Sequence, residues 1–160
     1  MKQPFQAGLA VIAALFVVSP AWADAGHAGH GQQSFSTGEP GNPKKPARVI
    51  QVTMGEKDGK MIYVPARIEV KKGEQIRFVL RNNGELEHEF VLGTTAENLK
   101  HAEAMKKDPA MEHGHANEKH LDPKKSGDFF WKFTQAGEFE YACLIPGHRE
   151  AGMVGTIVVK

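Results

Sequence analysis

From about Ala47 to the C-terminus, apolar and polar residues alternate with a period of two, the mark of strands with one buried face. Ile50, Val52 and Met54 alternate with Gln51 and Thr53, and Ile76, Phe78 and Leu80 alternate with Arg77 and Arg81. Ile68 and Val70 mark a further short strand. Between Glu87 and Leu92 the even positions are His88, Phe90 and Leu92, so a histidine shares a face with two large apolar side chains. Phe129, Trp131 and Phe133 form another run. From Glu138 to Cys143 the odd positions are Phe139, Tyr141 and Cys143, so the cysteine continues the buried face of its strand. The final run, Val154 to Val159, is apolar on both faces. Asp58-Gly59, Lys72-Gly73 and Asn82-Asn83-Gly84 supply turn signals between the runs.

One segment breaks this period. Thr94-Thr95-Ala96-Glu97 has the form of a helix capping box. Helix formers follow, with Leu99, Ala102 and Met105 in a narrow apolar stripe, and Pro109 ends the pattern. The spacing predicts a short helix from about Ala96 to Lys107, inserted between strands. Residues 108–127 read as a long loop, a length usually associated with function or disorder. About seven or eight short strands and one helix predict an all-β sandwich.

Upstream, residues 24–46 are rich in Gly, Pro, Ser, Gln and Lys and read as a flexible leader. Before them, Lys2, the apolar run Leu9 to Val18, and Ala21-Trp22-Ala23 have the form of a secretory signal cleaved after Ala23. The apolar run is too short for a span of roughly 20 residues. The chain therefore divides into a signal peptide (1–23), a leader (24–46) and one domain (47–160). The expectation is an exported, periplasmic protein with no membrane insertion after processing. Loss of Lys2 leaves 19 basic and 19 acidic side chains, a balance that offers nucleic acid no basic stripe.

The composition becomes informative at cysteine. Cys143 is the only one, so no disulfide can form within the chain. An odd cysteine in an exported protein is paired between molecules, reactive, or a ligand. Downstream it reads Cys143-x4-His148-x4-Met153, a thiolate, an imidazole and a thioether on one short segment. Copper prefers that set, because thiolate and thioether suit Cu(I) while imidazole suits both oxidation states. One further histidine is needed, and strand-borne His88 is the best supplier. Structural zinc sites cluster Cys and His at short spacing without Met. The bland alternative is a buried free cysteine with a chance histidine and methionine downstream. Export, the unique cysteine and the shared parity of His88 and Cys143 together favour copper.

At these residues the chain resembles the cupredoxins. The pattern runs Gly84-x3-His88, then Phe139-x-Tyr141-x-Cys143-x4-His148-x4-Met153, and the resemblance covers about Val49 to Lys160. It implies a Greek-key β-sandwich binding one type-1 copper through His88, Cys143, His148 and Met153. It also implies that His148 reaches the surface through an apolar patch of Leu144, Ile145, Pro146 and the neighbours of Met153, where a redox or copper-transfer partner would dock. Several cupredoxins carry Asn directly after the first histidine, bracing the loop; here that position is Glu89. A closer resemblance is to the periplasmic copper-tolerance cupredoxins of the CopI type. It is carried by His88-Glu89-Phe90-Val91-Leu92-Gly93, by the inserted helix with its Met/His-containing loop, and by Cys143 to Met153.

A second group of donors lies outside the strands. His101 and Met105 are four apart on the helix; Met111, His113, His115 and His120 follow, and the leader adds His27 and His30. They read either as a second, weaker copper site or as a core methionine with solvated histidines. Cleavage after Ala23 puts His27 fourth, one residue beyond the strong amino-terminal Cu(II) chelate with His third. Two functions fit the whole: copper tolerance, or electron carriage between redox partners. His113-Gly114-His115 is the only His-x-His pair, so a stand-alone multicopper oxidase is not expected. A weak Cu(I) oxidation with an external acceptor stays open.

Overall fold

The computed structural model describes residues 34–108 and 114–160. In chain order its strands are β1 (Gly38–Pro40), β2 (Arg48–Lys57), β3 (Lys60–Val64), β4 (Arg67–Val70), β5 (Gln75–Asn82) and β6 (His88–Gly93). After helix α1 (Thr95–Lys107) come β7 (Glu118–Leu121), β8 (Ser126–Phe133), β9 (Gly137–Ala142) and β10 (Val154–Val159). They form two five-stranded sheets, ordered β1-β8-β5-β2-β3 and β4-β10-β9-β6-β7. The pairs β2–β5 and β4–β10 are parallel and the others antiparallel.

The alternating runs predict the core well. Phe78, Leu80, Trp131 and Phe133 from one sheet meet Phe90, Leu92, Tyr141 and Ile157 from the other, all fully buried. Phe90 is the hub: its ring stacks on Tyr141 at 4.9 Å between centroids and lies 5.2 Å from Phe78. Such aromatic pairs contribute about 0.5–1.5 kcal/mol each beyond their buried area. Gly155 pairs with Tyr141 across the sheet, and a Cβ there would meet the tyrosine ring at 2.1 Å. A glycine is therefore required where that ring crosses β10. The Asp58-Gly59 turn is a two-residue hairpin with both residues at positive φ (53° and 74°), closing β2 onto β3.

The helix begins at the predicted cap. The Thr94 side chain accepts from the Glu97 backbone N–H, while Glu97 accepts from the Thr94 N–H. Its buried face differs from the predicted stripe: Asn98, Ala102 and Met105 are buried, whereas Leu99 is 47% exposed. Asn98 is drawn inward because its amide donates to Glu140 on β9 (3.1 Å). The helix packs on the outer face of the second sheet, where Val91, Ala102, Ala142 and Leu144 form a separate apolar cluster. Every residue of β6 is consequently buried.

Two other expectations are corrected. The leader does not extend to residue 46, because residues 35–46 belong to the sandwich. Phe35 packs edge-on against Trp131 at 5.1 Å, and β1 pairs with β8. The segment 108–127 is not all loop, because β7 pairs with β6 there. The expected signal peptide, residues 1–23, lies outside the described residues. Among the described residues no helix is long and apolar enough to cross a membrane.

Candidate metal centre

Topology brings the separated donors together. β6 and β9 are antiparallel neighbours, with Val91 opposite Ala142. β9 and β10 are also neighbours, with Val154 opposite Ala142. The segment from Cys143 to Met153 thus closes one end of the sheet beside the start of β6, where His88 sits. His88, Cys143 and His148 are all buried, and one ligand atom from each lies within 4.8 Å of the others. Nδ1 of His148 is 3.3 Å from Nδ1 of His88 and 3.3 Å from the Cys143 Sγ.

The loop is held by its own backbone. The His148 N–H donates to Ile145 O (3.0 Å), as the turn at Pro146-Gly147 requires, and Gly147 takes φ 90°. The Met153 N–H donates to His148 O and the Cys143 N–H to Met153 O, both at 3.1 Å. These bonds draw Met153 back to Cys143. Its side chain is fully buried in the same apolar cluster as the cysteine.

Two glutamates support the site: Glu56, which sequence reasoning did not assign to it, and Glu89, which follows the first histidine. Glu56 on β2 faces His88, with Oε1 2.8 Å from Nε2. An Nε2–H donated to that carboxylate leaves the Nδ1 lone pair turned toward Cys143 and His148, the arrangement that fixes a metal-binding histidine. Glu56 also accepts the N–H groups of Glu85 and Leu86, tying down the loop before His88. Glu89 takes the bracing position. Its backbone N–H donates to Cys143 Sγ (3.3 Å), and its carboxylate accepts the Leu144 N–H (3.3 Å). The Tyr63 hydroxyl donates to Glu89 O from β3. Spacing along the chain carries no signal for Glu56, because its contact spans 32 residues and depends on β2 lying across from β6.

The electrostatics fit a soft cation. Burial pushes the Cys143 thiol up to about 12, so a thiolate there needs a positive partner. Burial and the neighbouring His88 hold His148 below the ordinary imidazole value, which keeps it neutral and able to donate a lone pair. A thiol, two imidazoles and an adjacent buried thioether are a donor set that suits copper.

His148 is 9% exposed, beside exposed Pro146 and Gly147 and half-buried Ile145. Leu144 departs from the expected patch. It lies just beyond β9 and is buried with Val91, Ala102 and Ala142. Among the described residues the second donor group is divided between separate places. Met105 is a buried helix residue, while His101 and His115 line a cleft of about 430 Å³ between α1 and β6. His120 is grouped instead with carboxylates. His27, His30, Met111 and His113 lie outside the described residues.

The model of the copper binding proteins of the plastocyanin/azurin family matches residues 50–160. The copper-resistant cuproprotein CopI of Rubrivivax gelatinosus is 46% identical over 95% of this chain and 94% of its own length. Its counterpart in Pseudomonas aeruginosa is 36% identical over 96% and 95%. Among solved structures, auracyanin B matches with a TM-score of 0.64 at 20% identity, covering 78% of this chain and 96% of the other. That likeness bears on the fold, which is an all-β sandwich of the expected class.

Proposed function

We propose a function for this chain from its site and its family, for it belongs to the plastocyanin/azurin family of copper-binding proteins. It is an exported type-1 copper protein that serves copper tolerance in the periplasm. The ligands are His88, Cys143, His148 and Met153. The observation that carries this reading is the convergence of three buried donors, two imidazoles and a thiol, within 4.8 Å. The two CopI relatives, matched over nearly their whole length, support the tolerance role. Export is supported by Lys2, the run Leu9 to Val18 and the Ala21-Trp22-Ala23 end.

Copper held by these donors supplies one-electron chemistry between Cu(II) and Cu(I). The chain's contribution is a rigid frame. β6 and β9 hold His88 and Cys143, Glu56 sets the His88 tautomer, and the Glu89 N–H bonds the sulfur. The backbone bonds of the 143–153 loop fix His148 and Met153. Frames of this kind hold geometry constant through a redox change and exclude water from the sulfur. His148, with Ile145 and Pro146 beside it, is the edge at which a redox or copper-transfer protein would dock.

Addition of Cu(II) to the mature protein is expected to produce an intense visible thiolate-to-copper band that is absent in Cys143→Ser. A band that survives this substitution would remove Cys143 from the ligand set. The electron-carrier alternative uses the same site, so growth must separate the two. A deletion strain should be copper-sensitive with normal respiration; normal growth in copper with impaired electron flow would reject the tolerance role.

A further inference from the structure

The outer face of the β6–β7 pair carries a cluster that the copper centre does not use. The register places Glu89 opposite His120. Continued by one residue, it places Glu87 opposite Asp122. Since alternate residues share a face, Glu87, Glu89, His120 and Asp122 occupy one square of cross-strand neighbours. One ligand atom from each of Glu87, His120 and Asp122 lies within 4.8 Å of the others. His120 Nε2 is 3.4 Å from Glu87 Oε2, and its Nδ1 is 3.8 Å from Glu89 Oε1.

Carboxylates directly opposite one another on paired strands repel, and this square holds three. Lys119 belongs to the other face, its stem against Gly127, and Lys124 pairs with Glu85 at 2.5 Å. The Glu89 carboxylate is 3% exposed and sits behind His120. One imidazole nitrogen thus faces the Glu89 carboxylate at ion-pair distance while the other is turned toward Glu87.

We propose that Glu87, His120 and Asp122 form a second site, for a divalent cation, with Glu89 orienting His120. One imidazole and two carboxylates select borderline and hard ions, and among first-row divalent metals Cu(II) binds such a set most tightly. The site therefore favours oxidised over reduced copper, the reverse of a Met/His site. The same strand residue, Glu89, touches both centres: its N–H bonds the Cys143 sulfur and its carboxylate faces His120.

The test uses the mature protein with its thiolate band first saturated. Further Cu(II) is added and followed by equilibrium dialysis and electron paramagnetic resonance. One additional equivalent is expected, without thiolate absorption. It should be lost in Asp122→Asn and in His120→Gln while the visible band, which reports an intact fold and copper centre, is unchanged. The leader histidines bind equally in parent and variants, so the difference isolates this cluster. Equal uptake by the parent and both variants would overturn the proposal and leave His120 as a partner of Glu87 and Glu89 alone. Absence of the thiolate band from the parent would instead count against the type-1 reading, so the two failures are distinguishable.

Discussion

The two faces of β6 carry opposite chemistry. The inner face presents His88, Phe90 and Leu92 to the core, and the donors gathered there are soft, buried and far apart in sequence. The outer face presents Glu89 and Val91, with Glu87 just before the strand. There the start of the strand carries carboxylates and an imidazole, and Val91 further along packs under the inserted helix. A period of two separates them, so one residue of register decides which chemistry a side chain joins. One strand can thus hold a thiolate centre and an oxygen-rich cluster without mixing their donors, and Glu89 joins them through its backbone on one side and its carboxylate on the other.

The largest effect should come from the inner face. Phe90→Ala removes the ring that contacts Tyr141, Phe78, Tyr63 and Phe129, and is expected to cost about 3–5 kcal/mol in urea denaturation of the metal-free protein. On the outer face Val91→Ala removes two methyl-sized groups, for about 2 kcal/mol at ~0.8 kcal/mol each plus a small cavity. Equal costs would mean that the helix-covered cluster is as much a core as the inter-sheet layer.

Next comes the support of the proposed ligand His88. Glu56→Ala removes the carboxylate behind His88 and the acceptor for Glu85 and Leu86. Copper affinity is expected to fall by about 10–100-fold, the usual consequence of losing such a partner. A competition titration against a chelator of known affinity reads this directly. An unchanged affinity would show that the loop before His88 orients the ring unaided.

How far these sites could be read from the chain depends on the range of the contacts. The inner face was legible because period-two alternation is local: β5, β6, β8 and β9 all follow their apolar parity, and Thr94 and Glu97 announce α1. β7 was missed because Glu118-Lys119-His120-Leu121 has one apolar residue and lies at a sheet edge. β1 was missed because Gly38-Glu39-Pro40 reads as leader, yet an edge strand tolerates proline. Asn98 took the place expected for Leu99 because a buried Glu140 needed a donor. His88, Cys143 and His148 were singled out from parity and spacing and the fold brings them together, whereas the contact of Glu56 with His88 and the Glu87–His120–Asp122 group depend on strand neighbours that no spacing reveals.

A smaller effect is expected where the helix meets the copper loop. Glu140 on β9 accepts from Arg149 (2.7 Å), Asn98 (3.1 Å) and Thr95 (3.2 Å). Arg149 follows His148 directly, so this largely buried pair ties the outer face to the copper loop. Arg149→Gln should destabilise the protein by about 1–2 kcal/mol, since it leaves a hydrogen-bonded carboxylate without its cation. If the pair also positions His148, the visible band should shift; a stability loss with no spectral change would confine Arg149 to holding the helix.

The smallest effect belongs to the helix cap, and it carries a pH signature. Burial raises the Glu97 carboxyl, but hydrogen bonds from Ser36 and Thr94 outweigh it and hold Glu97 below the usual value. A carboxyl depressed in the folded state adds stability above its unfolded value, about 4.3, and that stability is lost as pH falls through the lower folded value. Thr94→Ala removes the cap's side-chain bond to the Glu97 N–H and should cost about 1 kcal/mol at neutral pH. It also deletes the Thr94 hydroxyl's bond to the Glu97 carboxylate (2.9 Å), so the loss of stability on acidification below about pH 4.3 should be shallower than in the parent. The outer face should respond and the inner face should not. Protection of β6 amides against hydrogen exchange should stay unchanged while α1 amides exchange faster, because the cap stabilises only the element that covers the sheet.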